Sequence, residues 1–439
     1  MDTLFSNATI LTMNERMEVL TDAFLGITDG TITWLSKKPP EEKPQRIIDG
    51  TGMVLMPGLI NCHTRLEETV LRGYADDVSS EVRLRDRLYP RMEQMDERSA
   101  KTSALLGIAE CLRMGVTSVS DLSAHAGAVA QAAAETGIKA NVAQETVQLT
   151  EEFDFETHPQ CRELVKCHET WHGHDNGRIL TEVGLQGEYT SDHLLWDALM
   201  EYAVNNGLGL HTQLSRFDWE QEDCLDRTGL TPAQVLDCHK LFSVRTQAAY
   251  CCHLEEEDRA LLGRRKVSAV CCPVADRKLA AGTAELLSLV RAGMNVALGT
   301  DSAAASGSMD LLLQAREAAL GAKASSGDPE TLPAQAALMM ATVCGARAQG
   351  REKECGMLKE GMDADVIALD FTQPHLIPCH NVTNNVLYSA EGRDVIMTMV
   401  RGQILYTAGQ YPTLDLTAVM QELAQHAMPT VFAEKKEEA

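Results

Sequence analysis

Hydrophobic and polar positions follow two different patterns along the chain. Residues 1–56 and 365–410 contain short apolar runs, and the Asp29-Gly30 pair between two of the runs is typical of a hairpin. Between these two regions, short apolar or small-residue runs alternate with longer stretches of helical periodicity. The pattern predicts strands from both chain ends in one small β domain, and alternating strands and helices in the middle.

Eight runs in the middle region have the length and composition of buried strands. They cover residues 58–63, 116–121, 140–144, 179–187, 208–214, 248–253, 267–272 and 296–301. Eight strands, each followed by a helix, are what a (β/α)₈ barrel requires. We therefore predict an α/β protein with a TIM-type barrel and a small β-sandwich domain formed from both chain ends.

The domain boundaries follow from where the pattern changes. The barrel is predicted at residues 57–364, and the small β domain at 1–56 and 365–410. A C-terminal helix is predicted at 411–432, followed by a frayed tail at 433–439.

The charge balance limits the class of partner. The 439 residues include 39 Lys and Arg against 63 Asp and Glu, a net charge of −24, which argues against nucleic acid or an anionic membrane. No apolar stretch of about 18 residues is present to span a membrane. The thirteen Cys include no C-x-x-C pair and are typical of reduced thiols. We therefore expect a cytoplasmic protein whose partner is a small molecule.

The most informative motif ends the first predicted barrel strand, at Pro57-Gly58-Leu59-Ile60-Asn61-Cys62-His63-Thr64-Arg65. His63 and Arg65 are two residues apart, so both side chains point the same way from a strand. The last predicted barrel strand ends in Leu298-Gly299-Thr300-Asp301, which places a carboxylate at the end of an apolar run.

Together with Leu71-Arg72-Gly73 and Gly361-Met362-Asp363-Ala364-Asp365, these motifs resemble the amidohydrolase superfamily. The similar branch holds S-adenosylhomocysteine/methylthioadenosine deaminases and chlorohydrolases. The resemblance implies one divalent metal at the carboxyl ends of the strands, held by two His of strand 1, a His of strand 5 and an Asp of strand 8. It also implies a Glu after the strand-5 His and a His of strand 6 that move protons, and a homodimer or a larger homo-oligomer.

Several implied metal positions are substituted in this chain. His63 and Asp301 match the first His and the last Asp, whereas Arg65 stands at the second His and Gln213 at the strand-5 His. We expect His211 to lie one residue out of phase and to point toward the helices, although a two-residue slip of this strand would make it a ligand.

The implied catalytic positions are substituted as well. Arg216 stands at the Glu that moves protons, and Tyr250 at the strand-6 His. Gln186 replaces a substrate-facing His of many relatives, and Arg72 lies in a loop that the family uses near substrate. Asp301, Tyr250 and Glu188 are then the candidate catalytic groups.

Arg65 argues against a resident metal. Arginine stays protonated and has no lone pair to donate. A single positive charge about 4 Å from a divalent ion costs roughly 8 kcal/mol at an effective dielectric constant of about 20, against about 10–16 kcal/mol gained by a complete structural zinc site. We therefore expect no cofactor, with His63 and Asp301 as remnants of a ligand set.

Three functional interpretations remain open. In the first, a protein with a degraded metal site either serves a structural role or binds a small ligand, for which an anion is one candidate. The ligand-binding residues would be Arg65, Arg216, Gln213, Gln186 and Arg72. In the second, a metal-independent hydrolase uses Asp301 as base and Arg65 and Arg216 as a substrate clamp. In the third, zinc or another divalent metal supports an aminohydrolase that acts on C–N bonds of a cyclic amidine such as an adenosine derivative.

Two further alternatives concern the metal site itself. Arg65 is the suggested ion partner of Asp301, but the arginines could also form an internal salt bridge with Asp301 or Glu188 that fills the site. A replacement soft-metal site is conceivable on the sixth and seventh strands. Its residues would be Cys251, Cys252, His253, Cys271 and Cys272.

Overall fold

The computed structural model describes residues 1–148, 150 and 152–433. The predicted tail at 433–439 lies outside these residues apart from Ala433. The strands in the described chain are β1 (Thr3–Leu11), β2 (Val19–Thr28), β3 (Thr31–Ser36), β4 (Arg46–Asp49), β5 (Met53–Pro57), β6 (Leu59–Thr64), β7 (Val116–Ser123), β8 (Lys139–Thr146), β9 (Ile179–Leu185), β10 (Leu210–Leu214), β11 (Thr246–Tyr250), β12 (Ser268–Cys271), β13 (Asn295–Leu298), β14 (Val366–Asp370), β15 (Val395–Val400) and β16 (Gln403–Thr407).

Helices and helical turns connect the strands. They span Leu66–Leu71, Val82–Leu88, Tyr89–Met92, Glu97–Arg113, Ala126–Thr136, Pro159–Trp171, His174–Gly177, Glu188–Thr190, His193–Asn206, Asp218–Thr228, Pro232–Cys238, Leu241–Ser243, Glu256–Arg264, Pro273–Lys278, Leu286–Arg291, Ala303–Ser306, Leu311–Ser326, Ala334–Met340, Val343–Gln349, Pro374–Leu376, Val382–Tyr388, Gly392–Asp394, Leu416–Glu422, Leu423–Ala427 and Met428–Val431. No helix in the described part of the chain is long and apolar enough to cross a membrane.

Strands β6 to β13 form a parallel sheet in chain order, and the sheet curls into a barrel. The backbone N–H groups of Thr300 and Asp301 donate to the carbonyl oxygen of His63 at 3.1 and 2.9 Å, which brings the last strand against the first at their carboxyl ends. Each predicted barrel strand overlaps an observed one. The predicted fold class, a TIM-type barrel with a separate β layer, is confirmed.

The second sheet draws strands from both ends of the chain. Its order is β16-β15-β14-β5-β1-β2-β3, and β4 pairs in parallel with β1. The antiparallel pair β5–β14 joins the N-terminal strands to the C-terminal ones. A buried apolar cluster that includes Phe5, Leu25 and Val366 forms the core of this layer.

Helix starts at the carboxyl ends of the strands place two side chains of the site. The backbone N–H of Phe217 donates to Glu220 Oε1 at 3.1 Å, and Phe217, the residue after Arg216, is the N-cap of the helix Asp218–Thr228. Ser302 caps the short helix Ala303–Ser306 through a bond from the N–H of Ala305 at 3.1 Å. Both caps turn the chain at the barrel rim.

Candidate functional site

A cavity of about 100 Å³ lies at the carboxyl ends of the barrel strands. Barrel enzymes carry their ligand sites at this end, because the loops that follow the strands meet there. The wall is formed by residues at the ends of the strands and by a segment at residues 79–92, which we call the cover segment. The cavity is small beside the ~300–1,000 Å³ of common ligand pockets.

Four connected side chains lie at the base of this cavity: Arg216, Asp301 and Tyr250 line it, and the fully buried His63 contacts Tyr250. We call them the floor cluster. Arg216 Nη2 lies 3.0 Å from Asp301 Oδ2, and the guanidinium lies 3.8 Å from the centre of the Tyr250 ring. The Tyr250 hydroxyl donates to Asp301 Oδ2 at 3.0 Å and is 3.0 Å from His63 Nε2. All four side chains are buried, so the cluster is a fixed polar network rather than a surface ion pair.

The backbone at the floor cluster adopts conformations that L-residues rarely occupy. The φ angles of Ser215, Tyr250 and Asp301 are +48°, +77° and +60°, in the left-handed region. Such conformations cost on the order of 1–3 kcal/mol each and concentrate at functional sites. The strain therefore lies where the chain places its polar groups on the cavity floor.

Electrostatics hold Asp301 ionised. Burial alone would raise the pKa of its carboxyl group, but the Arg216 guanidinium outweighs burial and, with His63 and Arg83, lowers the pKa to about 2. Burial lowers the pKa of His63 well below its usual value, and the neighbouring His211 lowers it further. The cluster therefore pairs an arginine cation with an aspartate anion beside a neutral imidazole.

Arg65 is neutralised by two glutamates. Its Nε lies 2.5 Å from Glu68 Oε1, and its Nη1 contacts Glu145 Oε2. Only 9% of Arg65 is exposed, so this is a buried pair of ion bridges. The part of the cavity wall beside Arg65 therefore carries no net positive charge.

The cover segment contributes both apolar and charged groups to the cavity. Leu84, Leu88 and Met92 line it from above, together with Arg83 and Tyr89. Leu88 belongs to a buried cluster that also contains Val431 of the C-terminal helix. The cover is thus packed against a distant part of the chain.

A model of the amidohydrolase family matches residues 54–405. The chain belongs to the amidohydrolase family. Similar family members include a 5-methylthioadenosine/S-adenosylhomocysteine deaminase of Moorella thermoacetica, 36% identical over 86% of this chain and 88% of its own. A 5′-deoxyadenosine deaminase of Methanosarcina mazei is 34% identical over 98% of this chain and 99% of its own.

Solved structures of the family superpose closely. An adenosine deaminase from Xanthomonas campestris with bound zinc has a TM-score of 0.91 at 27% identity, with 97% of each chain covered. An atrazine chlorohydrolase of Arthrobacter aurescens, complexed with zinc, has a TM-score of 0.88 at 23% identity over 96% of this chain and 99% of its own, which speaks for the fold alone.

The predicted orientation of His211 is wrong. His211 Nε2 lies 2.9 Å from His63 Nδ1, so its ring points into the barrel rather than toward the helices. The physical reason is the two-residue period of a strand, which puts His211 and Gln213 on the same face. Gln213 lines the cavity, whereas His211 lies deeper and is fully buried.

The suggested pairing of Arg65 with Asp301 is also wrong. Glu68 and Glu145 hold Arg65, and Arg216 is the cation that contacts Asp301. The alternative of an internal salt bridge with Asp301 agrees with these contacts, with Arg216 in place of Arg65. Sequence reasoning missed Glu145 because no family motif marks it.

The remaining predicted site residues divide into two groups. Gln186 lines the cavity, and its Nε2 donates to the Tyr89 hydroxyl at 3.2 Å. Glu188 instead binds Arg227 at 2.8 Å, and Arg72 contacts Glu110 and donates to a backbone carbonyl. Neither Glu188 nor Arg72 is part of the cavity wall, so neither contacts a molecule bound there.

The donor groups around His63 and Asp301 do not fit the zinc-type ion that the family implies. Both ring nitrogens of His63 already have partners, and Asp301 accepts from Ser302 N–H at 2.6 Å as well as facing Arg216. Across the described residues, no group of three or more His, Cys, Asp or Glu side chains is arranged to hold a metal ion. This includes the Cys residues of the predicted soft-metal site, which lie at or just after the ends of β11 and β12. His253 of that site bonds to the Ala281 carbonyl.

Proposed function

We propose that this amidohydrolase-family protein binds a small organic molecule in the barrel cavity without a zinc-type centre. The observation that carries the proposal is the contact of Arg216 Nη2 with Asp301 Oδ2 at 3.0 Å. The two residues correspond, by the sequence motifs, to the proton-moving Glu and the last metal ligand of the family. An ion pair between them removes the carboxylate from metal binding.

Arg216 is the cation that opposes a metal at Asp301, because Arg65 is already neutralised by Glu68 and Glu145. A divalent ion at Asp301 would lie against a buried guanidinium that no pH near neutrality can discharge. Displacing Arg216 would strand its charge in a buried position, which is strongly unfavourable. A ligand that binds through polar contacts and the apolar wall of the cavity requires neither a metal at Asp301 nor the displacement of Arg216.

Metal analysis of the purified protein tests the proposal. We expect wild type to hold less than about 0.1 equivalent of zinc, iron or manganese after dialysis against zinc. A matched variant combines Arg65→His, Gln213→His and Arg216→Glu, which returns donors and removes both cations, and we expect it to retain zinc. About one equivalent in wild type would refute the proposal.

A second candidate function is metal-dependent deamination of an adenosine derivative. It is favoured by the names of relatives that are 33–36% identical over most of their length. It requires Arg216 to leave Asp301 when metal binds. Ammonia release from 5′-deoxyadenosine, 5-methylthioadenosine or S-adenosylhomocysteine, abolished by a chelator and restored by zinc, would establish it.

The metal-independent hydrolase is less well supported by these contacts. A carboxylate whose pKa is about 2 is a weak base, and Arg65 is already occupied by two glutamates. Screening lactones and carboxylated amidines in chelator tests it directly. A homo-oligomer, a cytoplasmic location, and a small-molecule partner rather than nucleic acid or membrane stay predictions.

A further inference from the structure

Arg83 of the cover segment is a buried cation that has no ion-pair partner in the described chain, although its charge is one of those that lower the pKa of Asp301. Only 5% of the residue is exposed, and no carboxylate in the described chain lies within ion-pair distance. Its Nε and Nη2 are buried and have no hydrogen-bond partner, although the side chain lines the cavity. Burying an unpaired charge is costly unless something else compensates it.

The other cavity cations are already compensated. Arg65 contacts Glu68 and Glu145, and Arg216 contacts Asp301. Arg216 Nε and Nη2 also lack a hydrogen-bond partner, but Asp301 supplies the counter-charge of this guanidinium. Arg83 is therefore the cavity-lining arginine without an ion partner among the described residues, and its charge is the one that a ligand can pair. Its two unpartnered atoms are also the pair that forms one edge of the guanidinium plane, and the N–H groups of such an edge can donate to both oxygens of a carboxylate.

The surroundings of Arg83 limit the kind of anion. Glu68, Glu145 and Asp301 line the same small cavity, so a dianion would meet about twice the repulsion that a monoanion meets. The rest of the wall near Arg83 is apolar, from Leu84, Leu88 and others of the cover segment. The cavity thus suits one negative charge attached to an apolar body.

We propose that Arg83 anchors a carboxylate-binding site, and that the ligand of the cavity is a small monocarboxylate with an apolar body. This assignment rests on the ligand binding proposed above and names its chemical class. Arg83 Nε and Nη2 bind the two carboxylate oxygens, and the side chains of the cover segment contact the apolar part. Arg65, which the sequence suggested for this role, is excluded by its glutamate partners.

Thermal unfolding with benzoate, its uncharged analogue benzamide and inorganic phosphate tests the site. We expect millimolar benzoate to raise the Tm of wild type by at least about 2 °C, and benzamide and phosphate to raise it less. Arg83→Met should lose the benzoate shift. Arg83→Lys, which keeps the charge but not the two-atom edge, should lose most of it.

The ligand-free proteins provide an independent readout. If Arg83 is an uncompensated charge, Arg83→Met should have a Tm equal to or higher than wild type without ligand. Arg85→Met is the matched control, because Arg85 is exposed on the same segment and pairs with Glu81 and Asp86. It should keep the full benzoate shift.

Three results would overturn the carboxylate site. They are no benzoate shift in wild type, an equal benzoate shift in Arg83→Met and Arg83→Lys, or a larger Arg83-dependent shift with phosphate. Stabilisation by benzamide alone would leave the proposed ligand binding intact and remove only this assignment. Zinc content separates the two proposals, because metal in wild type would refute the proposed function without altering the benzoate comparison.

Discussion

At the scale of single residues, Glu220 lines the cavity, and its carboxyl group caps the helix that follows strand β10. It is 6% exposed, and it accepts the N–H of Phe217 at the start of the following helix. Burial raises its pKa to about 7, although the backbone donors of residues 215–217 and the Arg216 charge oppose the rise. Glu220 therefore binds a proton more tightly in the folded protein than in the unfolded chain.

This difference predicts a loss of stability as pH rises. Between about pH 4.5 and 7 the unfolded chain releases the Glu220 proton before the folded protein does, so the contribution of Glu220 to the free energy of unfolding falls by about 3 kcal/mol by pH 8. Glu220→Gln has no such proton and keeps one acceptor oxygen. We expect urea unfolding to show the variant more stable than wild type at pH 8 and equal to it at pH 4.

Glu222→Gln is the matched control for this measurement. Glu222 is exposed on the same helix, so the substitution should leave the pH dependence of wild type unchanged. A Glu220→Gln profile that parallels wild type from pH 4 to 8 would contradict the inferred burial of a protonated carboxyl group.

Family motifs located His63, Asp301, Arg216 and Tyr250, because each lies at a fixed position of a motif in the last residues of a barrel strand or just after it. The same pattern misplaced His211, for which the two-residue period of a strand was the available signal. Arg83 could not be found from sequence. Whether Arg83 has an ion partner depends on which carboxylates the fold brings near it. A local sequence pattern carries no information about such distant residues.

At the scale of elements, the C-terminal helix supports the cover segment. Val431 is fully buried in the cluster that contains Leu88, and the Phe432 ring lies 4.9 Å from that of Tyr74. The Arg91 guanidinium lies 5.3 Å from the centre of the Phe432 ring. Residues about 340 positions apart in the chain, such as Arg91 and Phe432, thus pack together and stabilise the cover segment.

Val431→Ala is therefore expected to loosen the cover. Removing two buried methyl groups should lower the free energy of unfolding by about 2 kcal/mol. It should also speed tryptic cleavage at the exposed Arg85 and Arg87, because local opening becomes less costly. Met428→Ala, at a position 40% exposed on the same helix, is the control and should change neither quantity. An unchanged rate of tryptic cleavage in Val431→Ala would show that the C-terminal helix does not stabilise the cover segment.

At the scale of the whole molecule, the fold was accessible from sequence because both faces of each barrel strand are buried. Runs such as 116–121 and 267–272 therefore read as short apolar segments between helices. Strand ends were less accurate, as in β10, which begins at Leu210 rather than at 208. The pairing of β5 with β14 joins distant segments, and the sequence indicated only that both regions contain strands.

A buried ion pair joins the barrel to the second sheet. Lys139, at the start of β8, is fully buried, and its Nζ lies 2.6 Å from both Asp363 Oδ2 and Asp365 Oδ2 just before β14. Asp363 has a second cation in Arg401 at 2.9 Å, whereas Asp365 has only Lys139 as an ion partner in the described chain. The stability of the two layers is therefore linked through one side chain.

Lys139→Met should expose this link. The substitution leaves Asp365 buried without a cation, so we expect a loss of about 3–5 kcal/mol in the free energy of unfolding. Lys139→Met with Asp365→Asn should recover part of that loss, because it removes the stranded charge as well. Lys101→Met, which breaks a partly exposed bridge to Glu135, should cost less than about 1 kcal/mol. Equal losses for Lys139→Met and Lys101→Met in urea unfolding would show that the two layers are held by their apolar contacts alone.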